Sequence, residues 1–272
     1  MNRGNGHPGV HFLLSLIDQG DAAAVRRRLG IGEQEVLAVE HAVQWLDRLR
    51  RPRSVLLWIL EEDDPATNRV LFQHLDTPDT IKRDILRGVP FGGTGGRLHV
   101  LAHGQAPEIP VGPRGVVGGL REARTMDTAR IAARVVGADD WTDVAEADRA
   151  EPLPGYARWA LTERIDCPPA VRAQFGSHAK FTHRLQRAGI VEPAEYVEVT
   201  RPPQEVLAVL GLGVLLFPRR AREAGAALAP LVHAEVGVDP DAWAVLAQLL
   251  PTFAGTVPEL VRTSGAVARV RG

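Results

Sequence analysis

A glycine-rich stretch in the middle of the chain could bind an anion through its backbone. It reads GGTGGR over residues 92–97, and successive glycine amides can form a concave nest for a phosphate. The candidate anion-binding residues are Gly93, Thr94, Gly95, Gly96 and Arg97. The pattern is neither a dinucleotide-binding nor a P-loop fingerprint, because Leu98 stands where a third glycine belongs and no lysine follows. Two interpretations stay open, a phosphate-binding loop and a flexible linker, and the linker is favoured.

Two groups of basic residues could contact a phosphate backbone, because the planar arginine side chain binds oxyanions through two N–H groups. The candidate contacts are Arg48, Arg50, Arg51, Arg53, Lys180, Arg184 and Arg187. On a helical protein such residues could line one face and follow a nucleic acid. The alternative is a set of solvated helix faces whose cations pair with neighbouring acids. The formal net charge of -1, from 32 basic and 33 acidic residues, favours this alternative.

Residue types that serve enzymes occur without the partners that catalysis needs. His99 and His103 are spaced like two metal ligands on a helix, but no glutamate completes an HExxH motif. The single cysteine, Cys167, stands before a proline, where a small capping residue is sufficient. No GxSxG motif suggests a nucleophilic serine. The sequence therefore favours a non-enzymatic protein with no catalytic residues, metal or cofactor, and it leaves an enzyme open.

The spacing of apolar residues predicts helices along most of the chain. Val39, Val43 and Leu46 follow the three- and four-residue spacing of one helix face. Proline repeatedly occupies positions typical of helix starts, where its missing N–H costs nothing. These prolines are Pro65, Pro78, Pro168, Pro193, Pro240 and Pro258. We predict an all-α protein of about a dozen short helices.

The longest apolar run is Val206–Phe217. It is too short to cross a bilayer, which takes about 20 residues, so we expect no membrane span. Gly211 and Gly213 interrupt the run, which predicts a buried pair of helices around them. With a single cysteine and no recognisable export signal, the chain is expected in the cytoplasm.

Residues 71–82 and 161–172 share a sequence pattern. In both segments a leucine is followed by an aliphatic residue, an aspartate, a small residue and a proline, and then by an aliphatic and a basic residue. This order predicts a helix, a tight Asp-x-Pro turn and a second helix that begins at the proline. The chain is therefore expected to use one αα-hairpin twice.

Helical hairpins of this kind resemble the units of HEAT-like and leucine-rich-variant repeats. The two copies lie too far apart for a regular array, whose units span about 20 to 50 residues. The resemblance implies an irregular helical repeat or a duplicated helical bundle whose surface binds another macromolecule. With the basic residues included, it extends to HEAT-like DNA glycosylases and implies contact with a nucleic acid.

A stretch rich in glycine and proline separates the two copies. Loops of this length are uncommon inside compact domains and are usually linkers or functional loops. We predict an N-terminal helical subdomain over residues 1–88, a linker loop over residues 89–119 and a C-terminal helical subdomain over residues 120–272.

The sequence favours an intracellular scaffold or regulatory module whose partner is another protein. Its basic residues are nearly all arginine, the exceptions being Lys82 and Lys180. The composition and helix pattern resemble those of actinobacterial proteins needed for aerial mycelium formation, which implies a developmental role. Two alternatives remain: a DNA-binding or DNA-repair helical-repeat protein, and an enzyme that binds a phosphorylated ligand at the glycine-rich loop.

Overall fold

The computed structural model describes residues 8–33, 37–93, 95–176 and 179–271. Within these ranges the chain forms seventeen α-helices and one 3-10 turn, Ala138–Asp140, and no strand. The prediction of an all-α fold is confirmed, with more helices than the sequence indicated. None of the helices in the described ranges is long and apolar enough to cross a membrane.

The chain divides into two compact units, and the second is inserted in sequence between the two parts of the first. The first unit combines the residues up to Arg51 with those from Val191 onward, and the second unit is Pro52–Ile190. The first unit contains α1 (Pro8–Leu14), α2 (Gln19–Leu29), α3 (Val39–Asp47), α13 (Pro193–Val199), α14 (Pro203–Leu216), α15 (Pro218–Glu235), α16 (Pro240–Leu249) and α17 (Val257–Arg271). The second unit contains α4 (Ser54–Leu60), α5 (Pro65–Gln73), α6 (Asp79–Leu86), α7 (Gly115–Glu122), α8 (Met126–Arg134), α9 (Trp141–Ala150), α10 (Gly155–Thr162), α11 (Pro169–Phe175) and α12 (Ala179–Arg187).

Helix α14 is the centre of the first unit, where it contacts α1, α3, α13, α15 and α17. The sequence predicted two helices around Gly211 and Gly213, but the structure has one continuous helix through both glycines. Both glycines are buried. The ring of Phe217 packs directly on Gly213, in the space that a Cβ would need. Glycine is therefore used here for close packing, and its weak helix propensity is overcome by the burial of its neighbours.

Predicted helix starts coincide with observed ones to within one residue. Pro65 and Pro240 occupy the first helical position, and the preceding aspartates cap the free amides. The Asp64 carboxylate accepts a hydrogen bond of 2.7 Å from the Thr67 amide. Caps of this kind stabilise a helix by about 1 kcal/mol, so they contribute to the stability of α5 and α16.

The glycine- and proline-rich segment packs within the second unit. The amides of Phe91 and Gly92 donate to the Asp63 carboxylate at 2.7 and 3.1 Å. Further along, Ala102 is buried, and Gly104 lies against the ring of Phe72. The subdomain limits expected at residues 88 and 119 both fall inside the second unit, whose limits are Pro52 and Ile190. The segment lies within a unit because these hydrogen bonds and contacts attach it to the turn after α4 and to α5.

Candidate functional site

The second unit contains a cleft of about 670 Å³. Both copies of the duplicated turn line it, together with one side of α8 and residues 108–110. A smaller hollow of about 410 Å³ shares Pro110, Ile131 and Val135 with the cleft and extends along α8 towards α7. The sequence repeat thus marks one wall of this cleft.

The two turns have nearly the same backbone geometry. Pro78 has φ -58° and ψ 144°, and Pro168 has φ -57° and ψ 140°. The carbonyl of each proline accepts a hydrogen bond of 2.9 Å from the amide four residues later, at Lys82 and Arg172. In both copies the second helix begins one residue after the proline. The expected αα-hairpin is therefore present at both places in the chain.

Large apolar side chains are exposed at the cleft. Leu75, in the first turn, is 93% exposed, and Ile131, on α8, is 64% exposed. Pro110 is also exposed and lines the same cleft. Isolated apolar residues are common on protein surfaces, but a group of them around a concave surface is typical of an interaction site.

Three arginines converge on Glu163 at one end of the cleft, a group we call the arginine cluster. Arg130 donates from Nε and Nη2 to Oε2 of Glu163 at 3.4 and 3.3 Å. Arg184 places Nη1 3.9 Å from the other carboxylate oxygen. Arg53 donates to the Glu163 backbone carbonyl at 3.4 Å. Glu163 follows the last residue of α10, and the partial negative charge at a helix C-terminus also favours these cations.

The Arg184 guanidinium is held by an aromatic ring. It lies 3.5 Å from the centroid of the Trp159 ring, a distance at which cation–π attraction is strong. Its Nη1 is buried and has no hydrogen-bond partner among the described residues. Trp159 and Glu163 are four residues apart on α10 and its end, so a single helix fixes both neighbours of this guanidinium.

Another arginine that lines the cleft, Arg164, has a structural role. It donates to both carboxylate oxygens of Asp166, from Nε at 2.9 Å and from Nη2 at 2.5 Å. It also donates to the Ala133 carbonyl at 2.6 Å and to the Thr80 hydroxyl at 3.2 Å. These bonds tie α8 and the first turn to the second turn, and they leave Arg164 little capacity for a ligand.

Three further carboxylates line the cleft. They belong to Asp76 and Asp79 of the first turn and to Glu108. In the part of the chain that the structure describes, none of the three makes an ion pair. The cleft therefore has an acidic portion in addition to the arginine cluster.

The candidate phosphate-backbone contacts are distributed over both units. In the first unit Arg48 lies 5.9 Å from the Trp45 ring, Arg51 forms an ion pair of 2.9 Å with Asp47, and Arg50 is exposed.

In the second unit Arg53 and Arg184 meet at Glu163, and Arg187 is exposed. The side chain of Lys180 lies outside the described residues. The structure thus brings together two of the seven residues, Arg53 and Arg184.

The candidate anion-binding loop is exposed at Gly93, Gly95, Gly96 and Arg97, and Thr94 lies outside the described residues. The two amides just before it already hold an anion, the carboxylate of Asp63. Its role in ligand binding stays a prediction.

Sequence reasoning missed the residues that define the cleft: Leu75, Glu108, Arg130, Ile131 and Glu163. The available signal was the sequence repeat, since Leu75 and Glu163 lie within the two copies. Arg130 and Ile131 had no such signal. The sequence around these two residues does not distinguish them from exposed residues of other helices.

Comparison of the chain with protein-family models, with curated proteins and with solved structures found no match.

Cys167 is expected to resist alkylation in the folded protein. It is 2% exposed, and burial raises the pKa of its thiol to about 12, more than the nearby Arg172 guanidinium lowers it. Because the thiolate is the reactive form, iodoacetamide should label the native protein very slowly near pH 8 and the guanidinium-unfolded protein rapidly. Mass spectrometry of timed samples measures both rates. Equal rates in the two conditions would contradict this placement of the thiol.

Proposed function

We propose that the protein is a protein-interaction module that binds a segment of a partner protein in the cleft of its second unit. The observation that carries this proposal is the exposure of Leu75 and Ile131 on one concave surface. Apolar anchors that become buried on binding supply most of the affinity of such interfaces. The charged groups around them would select among partners.

The dimensions and composition of the cleft support an extended peptide as the bound segment. A volume of about 670 Å³ accommodates a few side chains of a partner. The smaller hollow along α8 prolongs the surface past Ile131, as an extended peptide requires. We place this module in the cytoplasm, and its regulatory role in actinobacterial development stays a prediction from composition.

The test is selection of peptides on the purified full-length protein from a random-sequence library displayed on phage. We expect a shared sequence pattern among the selected peptides. Their affinity should fall about tenfold in Leu75→Ser and in Ile131→Ser, the effect typical of a lost apolar anchor. Fluorescence anisotropy of labelled peptides measures these affinities.

The matched control is Val270→Ser, which removes a side chain that is 87% exposed in the first unit. It should leave the peptide affinities unchanged. A library that yields no binding peptide, or peptides that bind equally to the Leu75 and Ile131 variants, would overturn the proposal.

A further inference from the structure

The arginine cluster carries more positive charge than its internal partner neutralises. Arg130 and Arg184 face the Glu163 carboxylate, and Arg53 donates to the backbone carbonyl of the same residue. Three guanidinium groups thus contact a residue with one negative charge, which leaves a formal excess of two positive charges. The C-terminal dipole of α10 offsets about half a charge of this excess. Like charges brought this close repel one another, and an anion with more than one negative charge would relieve the repulsion.

The cluster is also accessible and partly preorganised. The side chain of Arg130 is 53% exposed and that of Arg184 is 36% exposed, while Glu163 is 17% exposed. The stacking of Arg184 on Trp159 fixes the plane of its guanidinium, and the Nη1 of Arg184 has no hydrogen-bond partner in the described ranges. An incoming oxyanion would therefore meet guanidinium groups that are held in place, at the exposed parts of Arg130 and Arg184.

We propose that the arginine cluster binds the phosphoryl group of a phosphoserine or phosphothreonine in the peptide that occupies the cleft. This inference rests on the proposed function, since it names a chemical feature of the same partner. A phosphoryl group carries nearly two negative charges and three acceptor oxygens at neutral pH. It can replace the single charge of Glu163 at the cluster, whereas a carboxylate of the partner would only exchange one such charge for another.

The rest of the cleft favours a phosphorylated peptide over a nucleic acid. A nucleic acid would bring a continuous line of phosphates past Asp76, Asp79 and Glu108, whose carboxylates would repel it. A peptide can place one phosphoryl group at the cluster, apolar side chains at Leu75 and Ile131, and basic side chains at the acidic portion. The formal net charge of -1 for the whole chain agrees with this choice.

The first experiment uses two probes, inorganic phosphate and O-phosphoserine, and follows the Arg Nε–Hε resonances of the full-length protein by NMR. We expect Arg130 and Arg184 to shift in a saturable manner. Glu163→Gln removes the internal competitor without a change of size, so it should bind both probes about tenfold more tightly than the native chain. Arg130→Gln should bind them about tenfold more weakly.

The matched control is Glu151→Gln. It breaks a single ion pair of 2.8 Å between Arg121 and Glu151 in the same unit, outside any cluster. It should leave phosphate binding unchanged. A merely structural role for Glu163 predicts no gain in affinity on its replacement, so an unchanged or weaker affinity in Glu163→Gln would overturn the inference.

The second experiment compares two random peptide libraries, one with a fixed central phosphoserine and one with serine at the same position. We expect retention of the phosphorylated library and its loss in Arg130→Gln. Equal retention of both libraries would overturn the phosphate inference, while the test at Leu75 and Ile131 would still decide the proposed function. Binding of duplex DNA that is lost in Arg130→Gln would overturn the inference in favour of a nucleic acid.

Discussion

Replacing Asp148 with alanine is expected to lower the free energy of unfolding by about 3 kcal/mol, the low end of the range for breaking a buried ion pair. The Asp148 carboxylate is buried and accepts hydrogen bonds from Nε and Nη2 of Arg158 at 2.7 and 3.1 Å. It also accepts from the Leu153 amide at 2.9 Å and from the Gln174 side chain at 3.0 Å. One carboxylate thus joins α9, α10 and α11. The low end applies because Arg158 is 28% exposed and can regain water.

The same carboxylate gives stability a defined pH dependence. Burial alone would raise the pKa of Asp148, but the hydrogen bonds from Arg158, Gln174 and Leu153 outweigh it and hold the pKa below its usual value. A folded-state pKa below the unfolded one means that the stabilisation is complete above about pH 4 and is lost as the pH falls through the folded-state pKa. Asp148→Ala should lack this contribution to acid unfolding.

Urea unfolding followed by circular dichroism, at neutral and at acidic pH, measures both effects. The control is Glu146→Ala on the same helix, where the side chain is exposed, and its effect should stay within about 0.5 kcal/mol. The account of this network would be wrong if the two variants had equal stability at neutral pH.

Two glycine-to-alanine substitutions inside helices are expected to change the free energy of unfolding in opposite directions. Gly265, in α17, lies so close to the backbone of Glu235 that a Cβ would overlap its carbonyl oxygen. Gly265→Ala should therefore destabilise the protein by about 2 kcal/mol, as overpacking does, in spite of the better helix propensity of alanine. Gly119, in α7, has only the Ala132 Cβ nearby, at 3.9 Å. Gly119→Ala should stabilise by about 0.5 to 1 kcal/mol.

Thermal and urea unfolding of the two variants in parallel provide the measurement, with each serving as the control for the other. Because the residue change is the same, helix propensity alone would change the free energy of unfolding in the same direction in both variants. Stabilisation by Gly265→Ala would show that α15 and α17 can separate at little cost. That result would contradict the close contact between these two helices in the first unit.

The fold class could be predicted because its signals are local. Pro65 and Pro240 mark helix starts in the sequence and begin helices in the structure. The duplicated turn was equally readable, since an aspartate, a small residue and a proline fix the backbone over a few residues. Local signals failed at Gly211 and Gly213, because the burial of α14 among five helices decides whether the helix continues, and that burial is a tertiary property.

The candidate site was only partly predictable because its residues are distant in sequence. Arg53 and Glu163 are 110 positions apart, and Arg130 and Glu163 are 33 apart. Arginine spacing within one segment cannot show that these side chains meet at one carboxylate. The limits of the two units at Arg51 and Val191 likewise have no change of composition, whereas the glycine-rich segment has one and lies within a unit.

The interrupted first unit also sets an order of events during synthesis. Helix α1 packs on α14, so the N-terminal helices cannot complete their core until residues beyond Val191 have left the ribosome. The second unit is the continuous segment Pro52–Ile190, so its residues leave the ribosome before those beyond Val191 and can pack earlier. The apolar faces of α1, α2 and α3 therefore stay exposed until that later segment has been synthesised. A long separation in sequence between contacting helices also slows folding. In the nascent chain, the apolar faces of these N-terminal helices are therefore expected to stay accessible to solvent and to chaperones until α14 has been synthesised.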